Sequence, residues 1–156
     1  MQETDIFLDL PRYNLNHYER DMLWQWQCSA SYEEFKNDQY DGNLIAVNPE
    51  VPTWVFEKFT FPLSLSISYL FLKNKGLTSK HTDVYRECSL TVLLSNTHTL
   101  TDFYEKDNLV ATLLHNGNTF LQNNQVSHFV EPTSDWRYFF QISFDRPFLE
   151  MKGKLK

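Results

Sequence analysis

A short His-x-Asp motif and a distant histidine are the residues of this chain best suited to metal chemistry. His81 and Asp83 stand two positions apart, so on an extended segment their side chains point the same way. His128 lies much further along the chain. Two imidazoles and one carboxylate on one face of a ferrous ion leave its opposite face open for a co-substrate and oxygen. If the fold joins the two segments, these residues predict an oxygen-activating metal site.

An arginine that follows the distant histidine supports this interpretation. Arg137 comes after His128 across a predicted turn, so on the neighbouring strand it would point into the same cavity. A guanidinium group can hold a small dicarboxylate through two parallel hydrogen bonds. The other end of such an acid could then chelate the metal. Alone, His81 and Asp83 would fit a polar pair at a strand end; together with His128 and Arg137 they favour a metal site.

Two other polar residues near these motifs have simpler interpretations. Arg86 follows Asp83 by three positions and could support a metal ligand by hydrogen bonding. An ion pair with Glu87 or Glu105 is an equal alternative. His115 falls at a predicted strand end and is expected to be solvated.

The elements that must position these residues change along the chain. Residues 1–60 are mixed: Asn16 to Cys28 has apolar residues at helical spacing behind a capping asparagine, and the segment from Ser31 resembles a second helix start. From Leu63 to Phe71 apolar residues alternate with serines, which predicts a strand. Further short strands are predicted at 77–82, 89–95, 100–105, 109–114, 118–121, 126–130 and 136–145.

Eight short strands with tight turns favour a sandwich or barrel over a parallel sheet. The predicted fold class is therefore mainly β: a double-stranded β-helix, of the jelly-roll or cupin-like kind, with N-terminal helices packed on one sheet. The prediction is one domain over residues 1–156. Residues 1–60 would support a β-helix core at 61–150.

Composition limits the function classes. The net charge of −6 argues against nucleic acid as the main partner. Thirteen phenylalanines, eight tyrosines and four tryptophans indicate a large aromatic core. The two cysteines form no metal-type pair, the acidic N-terminus does not resemble a secretory leader, and no segment predicts a membrane span. A reducing, cytoplasmic setting is expected, and it would keep a ferrous site reduced.

Two segments resemble a known enzyme family. Residues 75–94 (KGLTSKHTDVYRECSLTVLL) and 122–144 (QNNQVSHFVEPTSDWRYFFQISF) are similar to its glycine turn, metal-binding triplet, distal histidine, arginine and last strand. The family is the 2-oxoglutarate- and Fe(II)-dependent dioxygenases, in particular the prolyl-4-hydroxylase-like branch. The resemblance spans about residues 65–148.

The resemblance implies specific roles. His81, Asp83 and His128 would hold Fe(II), and Arg137 would pair with the far carboxylate of 2-oxoglutarate. Tyr69 would add its hydroxyl to that carboxylate. Many members carry Ser or Thr two residues after the arginine, where this chain has Phe139, which leaves Arg137 as the anchor.

The implied reaction is an oxidation that consumes O2 and 2-oxoglutarate and releases succinate and CO2. Hydroxylation of a peptidyl, prolyl-like side chain is the first expectation for the substrate, and a small molecule is the second. Two alternatives remain open at the level of sequence. One is a non-catalytic jelly-roll binding module, and the other is a cupin-like metalloprotein that does not use 2-oxoglutarate.

Overall fold

The structure, a computed structural model, describes residues 1–35, 42–76, 79–97 and 99–156. The strands are β1 Phe7–Asp9, β2 Glu33–Glu34, β3 Leu44–Val47, β4 Ser68–Asn74, β5 Cys88–Leu93, β6 Thr99–Glu105, β7 Asn108–His115, β8 Thr119–Asn123, β9 Ser127–Val130 and β10 Arg137–Phe144. The helices are α1 His17–Cys28, α2 Thr53–Lys58, α3 Thr60–Leu65 and α4 Phe148–Leu155.

The strands form two antiparallel sheets. The larger has the order β1-β8-β5-β10-β4-β3-β2, and the smaller has the order β7-β6-β9. Consecutive strands often lie apart: β4 and β5, for example, both pair with β10. The prediction of a mainly β chain is confirmed, and β5 to β10 overlap the six strands expected between residues 89 and 145.

One face of the large sheet carries the main core. Phe71, Leu90 and Phe140 on its strands are fully buried, and they belong to one cluster with Leu23 of α1 and Met151 of α4. The helices thus cover this face. Because neighbouring residues of a strand face opposite sides, the other face of the sheet is left to form a cavity.

Helix α1 begins where the sequence predicts. The side chain of Asn16 accepts a hydrogen bond from the Glu19 amide at 2.8 Å, and the Glu19 carboxylate accepts one from the Asn16 amide at 3.0 Å. This reciprocal cap satisfies two amides that have no partner inside the helix.

Three sequence expectations for the first half of the chain are wrong. The strand predicted from Leu63 to Phe71 begins only at Ser68, because residues 63–65 belong to α3, whose first turn tolerates Pro62. The segment after Ser31 forms no helix, since Glu33–Glu34 pairs with β3. The expected strand at 77–82 reduces, over residues 79–82, to one bridge at His81; residues 77–78 lie outside the described part of the chain.

No helix in the described ranges combines the length and apolar character that crossing a membrane requires.

Candidate metal centre

Backbone hydrogen bonds bring the two halves of the predicted site together. His81 and His128 exchange a pair of amide-to-carbonyl bonds of 3.0 and 2.9 Å. The Asp83 amide donates to the Asn124 carbonyl at 3.0 Å, directly after β8. The connection before β5 is therefore fixed to both sheets. His81, Asp83 and His128 are all buried, at 5%, 5% and 3% exposure.

The three side chains converge on one point. Nε2 of His81 lies 3.3 Å from Oδ1 of Asp83, and Nε2 of His128 lies 3.4 Å from the same oxygen. One ligand atom from each residue falls within 4.8 Å of the others. This spacing allows all three to contact a single metal ion.

The other nitrogen of each imidazole is directed at a backbone carbonyl. Nδ1 of His128 lies 2.8 Å from the Val126 carbonyl, and Nδ1 of His81 lies 3.3 Å from the Ser79 carbonyl. A carbonyl oxygen only accepts, so Nδ1 can donate to it, and Nε2 of each ring is the nitrogen that faces Asp83. Two imidazole nitrogens and a carboxylate oxygen that converge in a buried space are a donor set able to hold one divalent cation. The donor set fits a ferrous ion.

The second oxygen of Asp83 is held by other residues. Arg86 donates from Nε to Oδ2 at 2.7 Å, and the side-chain amide of Asn124 donates to the same oxygen. Of the two interpretations of Arg86, the structure therefore shows the hydrogen bond to the metal-site carboxylate. Burial alone would raise the pKa of Asp83, but the Arg86 charge and the hydrogen bonds of both histidines keep it well below its usual value.

Arg137 opens β10 and is fully buried. Its Nε donates to Oδ1 of Asn74 at 2.5 Å, and its Nη1 donates to the Glu131 carbonyl at 2.8 Å. Within the part of the chain that the structure describes, its Nη2 has no hydrogen-bond partner. Burial lowers the pKa of Arg137 to about 10, and the Glu131 charge opposes that effect, so the group is charged at neutral pH. A buried cation with a free N–H fits a carboxylate ligand.

Tyr69 does not reach the site, so this prediction is wrong. The β4 residues that line the cavity are Ser68, Leu70, Leu72 and Asn74. Tyr69 alternates to the other face of the strand, where its ring packs 5.9 Å from Phe56 and 6.3 Å from Phe140. The apolar stripe of β4 that includes Tyr69 faces the core beneath the helices.

His115 is also placed differently from the expectation. It is 4% exposed, ends β7 and lines the cavity. Its Nε2 lies 3.1 Å from the hydroxyl of Thr101. Burial, helped by the positive charge of Arg137, lowers the pKa of His115 to about 3, so the ring is neutral at neutral pH. A single histidine at a strand end carries no sequence pattern that marks it as buried.

The three candidate metal ligands and His115 line one cavity between the two sheets, with a volume of about 230 Å³. An aliphatic wall comes from β3 and β4, including Ile45, Leu70 and Leu72. Beside this wall, Gln141 of β10 is the register partner of Leu70 and accepts a 2.8 Å hydrogen bond from Arg86. The cavity therefore offers a face with the three candidate metal ligands, a mostly apolar wall and a polar end near His115.

Comparisons with known proteins agree at the level of the fold. No protein-family model matches the chain, and no curated protein matches its sequence. An oxidoreductase of the 2OG-Fe(II) oxygenase family from Burkholderia pseudomallei matches over 90% of this chain and 86% of its own, with a TM-score of 0.57 and 9% identity.

Two further solved structures are of Fe(II) HppE. The complex with substrate form 2 has a TM-score of 0.49 at 10% identity, and the one with (S)-1-HPP has 0.48 at 12% identity. Each match covers 75% of this chain and 57% of the HppE chain. What the described residues share with the Burkholderia oxidoreductase is its fold: this chain has the architecture of a 2OG-Fe(II) oxygenase.

Proposed function

We propose that this protein is an Fe(II)- and 2-oxoglutarate-dependent oxygenase with a double-stranded β-helix core, and that it acts as a hydroxylase. The observation that carries the proposal is the buried convergence of His81, Asp83 and His128 on one point. A charged arginine near the same cavity adds to it. The fold shared with a 2OG-Fe(II) oxygenase supports the same conclusion.

Each residue of the candidate site would have a distinct role. Nε2 of His81, Nε2 of His128 and Oδ1 of Asp83 would hold the ferrous ion, and Arg137 would bind the far carboxylate of 2-oxoglutarate. When bound, iron and 2-oxoglutarate supply the activation of O2 and the oxidation of a C–H bond, with succinate and CO2 as products. Arg86 keeps Oδ2 of Asp83 engaged, so that Oδ1 is the oxygen presented to the metal.

The aliphatic wall of the cavity favours a substrate whose reacting group is uncharged and apolar. Ile45, Leu70 and Leu72 present aliphatic surface beside the metal ligands, and such a wall excludes water from the reacting C–H bond. A peptidyl prolyl-like side chain fits this chemistry, and a small apolar metabolite fits it as well. The resemblance to the prolyl-4-hydroxylase-like branch favours the peptidyl substrate.

Anaerobic titration with Fe(II) and then 2-oxoglutarate tests the proposal. We expect tight iron binding, followed by a weak visible charge-transfer band when the oxo-acid chelates the metal. His81→Ala should lose both. His17→Ala is the matched control, because His17 is exposed at the start of α1, and it should behave as the wild type does.

The other outcomes identify the alternatives. Iron binding without the band would indicate a cupin-like metalloprotein that does not use 2-oxoglutarate. Absence of iron binding would indicate a non-catalytic binding module. Either result would contradict the proposed function.

A further inference from the structure

Some buried polar atoms without hydrogen-bond partners lie on the strands that surround His115, β6, β7 and β10. The described residues contain five such side-chain atoms. Two of them, on Tyr13 and Trp54, belong to the core beneath the helices. The other three are Nη2 of Arg137, Nδ1 of His115 and Oγ1 of Thr99. Because an unsatisfied buried polar group is costly, a ligand with complementary polar atoms would be stabilised beside these three.

The strand register places these three groups together. Thr99 and His115 are direct partners across β6 and β7, and side chains of directly opposed residues lie on the same face of a sheet. Arg137 and Phe139 stand two positions apart on β10 and so share a face of the sheet, and the Phe139 ring lies 5.3 Å from the ring of His115. Strands β6, β7 and β10 therefore approach one another around His115, which lines the cavity.

The chemistry of the cluster selects a carboxylate. The hydroxyl of Thr101 can donate to Nε2 of His115 across 3.1 Å, which leaves the ring proton on Nδ1 as a donor. The Thr99 hydroxyl is a second neutral donor, and Arg137 supplies the positive charge. One cation and two neutral donors match a single carboxylate group.

We propose that His115 and Thr99 act with Arg137 as the binding site for the far carboxylate of the 2-oxo acid co-substrate. This inference rests on the proposed function. It assigns to His115 and Thr99 the hydrogen bonds that the family resemblance would assign to a Ser or Thr on β10, two residues after Arg137. At that place in the chain stands Phe139, which cannot donate a hydrogen bond. Its ring meets the imidazole of His115 edge-on, with centroids 5.3 Å apart, so Phe139 positions the histidine.

Two oxo-acids distinguish this role from a structural one. 2-Oxoglutarate carries the far carboxylate, and 2-oxobutyrate has the same chelating end without it. The experiment measures the dissociation constant of each acid for the anaerobic Fe(II) protein, with the wild type and with His115→Phe and Thr99→Val. Thr112→Val is the control, because Thr112 is exposed on β7.

We expect His115→Phe to weaken 2-oxoglutarate binding by about tenfold or more, as for the loss of a hydrogen bond to a charged group. Thr99→Val should weaken it by about threefold to tenfold. Both variants should bind iron and 2-oxobutyrate with wild-type affinity. If His115→Phe does not fold, Thr99→Val, which keeps the side-chain shape, decides the question.

Three results would overturn the inference. Unchanged 2-oxoglutarate affinity in the folded variants would remove the assigned role. Equal weakening of both acids would show a structural effect on the cavity. A wild-type protein that binds iron but neither acid would overturn the proposed function first, and this assignment with it.

Discussion

At the scale of single residues, the two oxygens of Asp83 have different partners. Oδ1 faces the two histidine Nε2 atoms, while Oδ2 accepts from Arg86 and Asn124. A carboxylate held in this way is fixed in rotation before any metal arrives, so its ligand atom needs no reordering. We therefore expect Arg86 to act as a positioning residue for the candidate metal centre.

Arg86→Gln should weaken Fe(II) binding by roughly tenfold to a hundredfold, the usual effect of losing an outer partner of a metal ligand. The physical reason is that Asp83 loses a charge-assisted hydrogen bond and its compensating charge. Anaerobic titration with Fe(II) measures the effect. Arg12→Gln, at an exposed arginine, should leave the affinity unchanged. A lower melting temperature with intact iron affinity would contradict the assignment, because it would show a purely structural role.

The sequence identified the three residues that converge because two of them follow a rule of spacing. It did not identify the residues that contact them, because those follow no such rule. His81 and Asp83 stand two positions apart, and a strand-like segment makes that spacing meaningful. Asn124 falls in a turn, where an asparagine is expected for backbone reasons alone. His115 becomes part of the cavity only through long-range pairing and burial. Such contacts depend on the whole fold and leave no local pattern.

At the scale of elements, the long strands were predicted well and the short helices were not. The alternation in β10 and β5 is sustained enough to identify a strand. In residues 63–67 a similar alternation lies partly within α3, since six helical residues are too few to distinguish a period of 2 from one of 3.6. Helix α4 was missed because its burial comes from packing under the large sheet, through Phe148, Met151 and Leu155.

The connection after β4 packs closely against the connection before β10. Gly76 has φ of +112°, and a Cβ built on it would lie 2.6 Å from Cα of Pro132 and 3.1 Å from Nη2 of Arg137. A side chain here would both strain the backbone and push against Arg137. The glycine thus allows two connections to meet beside the co-substrate end of the proposed site.

Gly76→Ala should destabilise the protein by about 1–3 kcal/mol, because it combines a left-handed backbone with a steric clash. It should also weaken 2-oxoglutarate binding through displacement of Arg137. Urea denaturation and oxo-acid titration measure the two effects. Gly153→Ala is the matched control: Gly153 lies in α4 with nothing within 4 Å of a built Cβ, so alanine should be neutral or stabilising. Equal stability of the two variants would contradict this account of Gly76.

At the scale of the whole molecule, the candidate metal centre joins the two sheets. His128 belongs to β9 of the small sheet, and Asp83 is bonded to the residue that follows β8 of the large sheet. His81 bridges to His128 from the connection between β4 and β5. A metal held by all three would therefore link parts of the chain that separate when the sheets come apart.

Iron should consequently stabilise the folded protein as a whole. At a free Fe(II) concentration of 100 times the dissociation constant, linkage gives about 2.7 kcal/mol, which for a chain of this size corresponds to roughly 5–10 °C in melting temperature. Anaerobic thermal unfolding with and without Fe(II) measures the shift, and a chelator should reverse it. His128→Ala removes one ligand and should abolish the shift, whereas His17→Ala should retain it. A shift of equal size in the His128 variant would contradict this account. It would mean that iron stabilises the protein from a different site, because that variant lacks one of the three ligands.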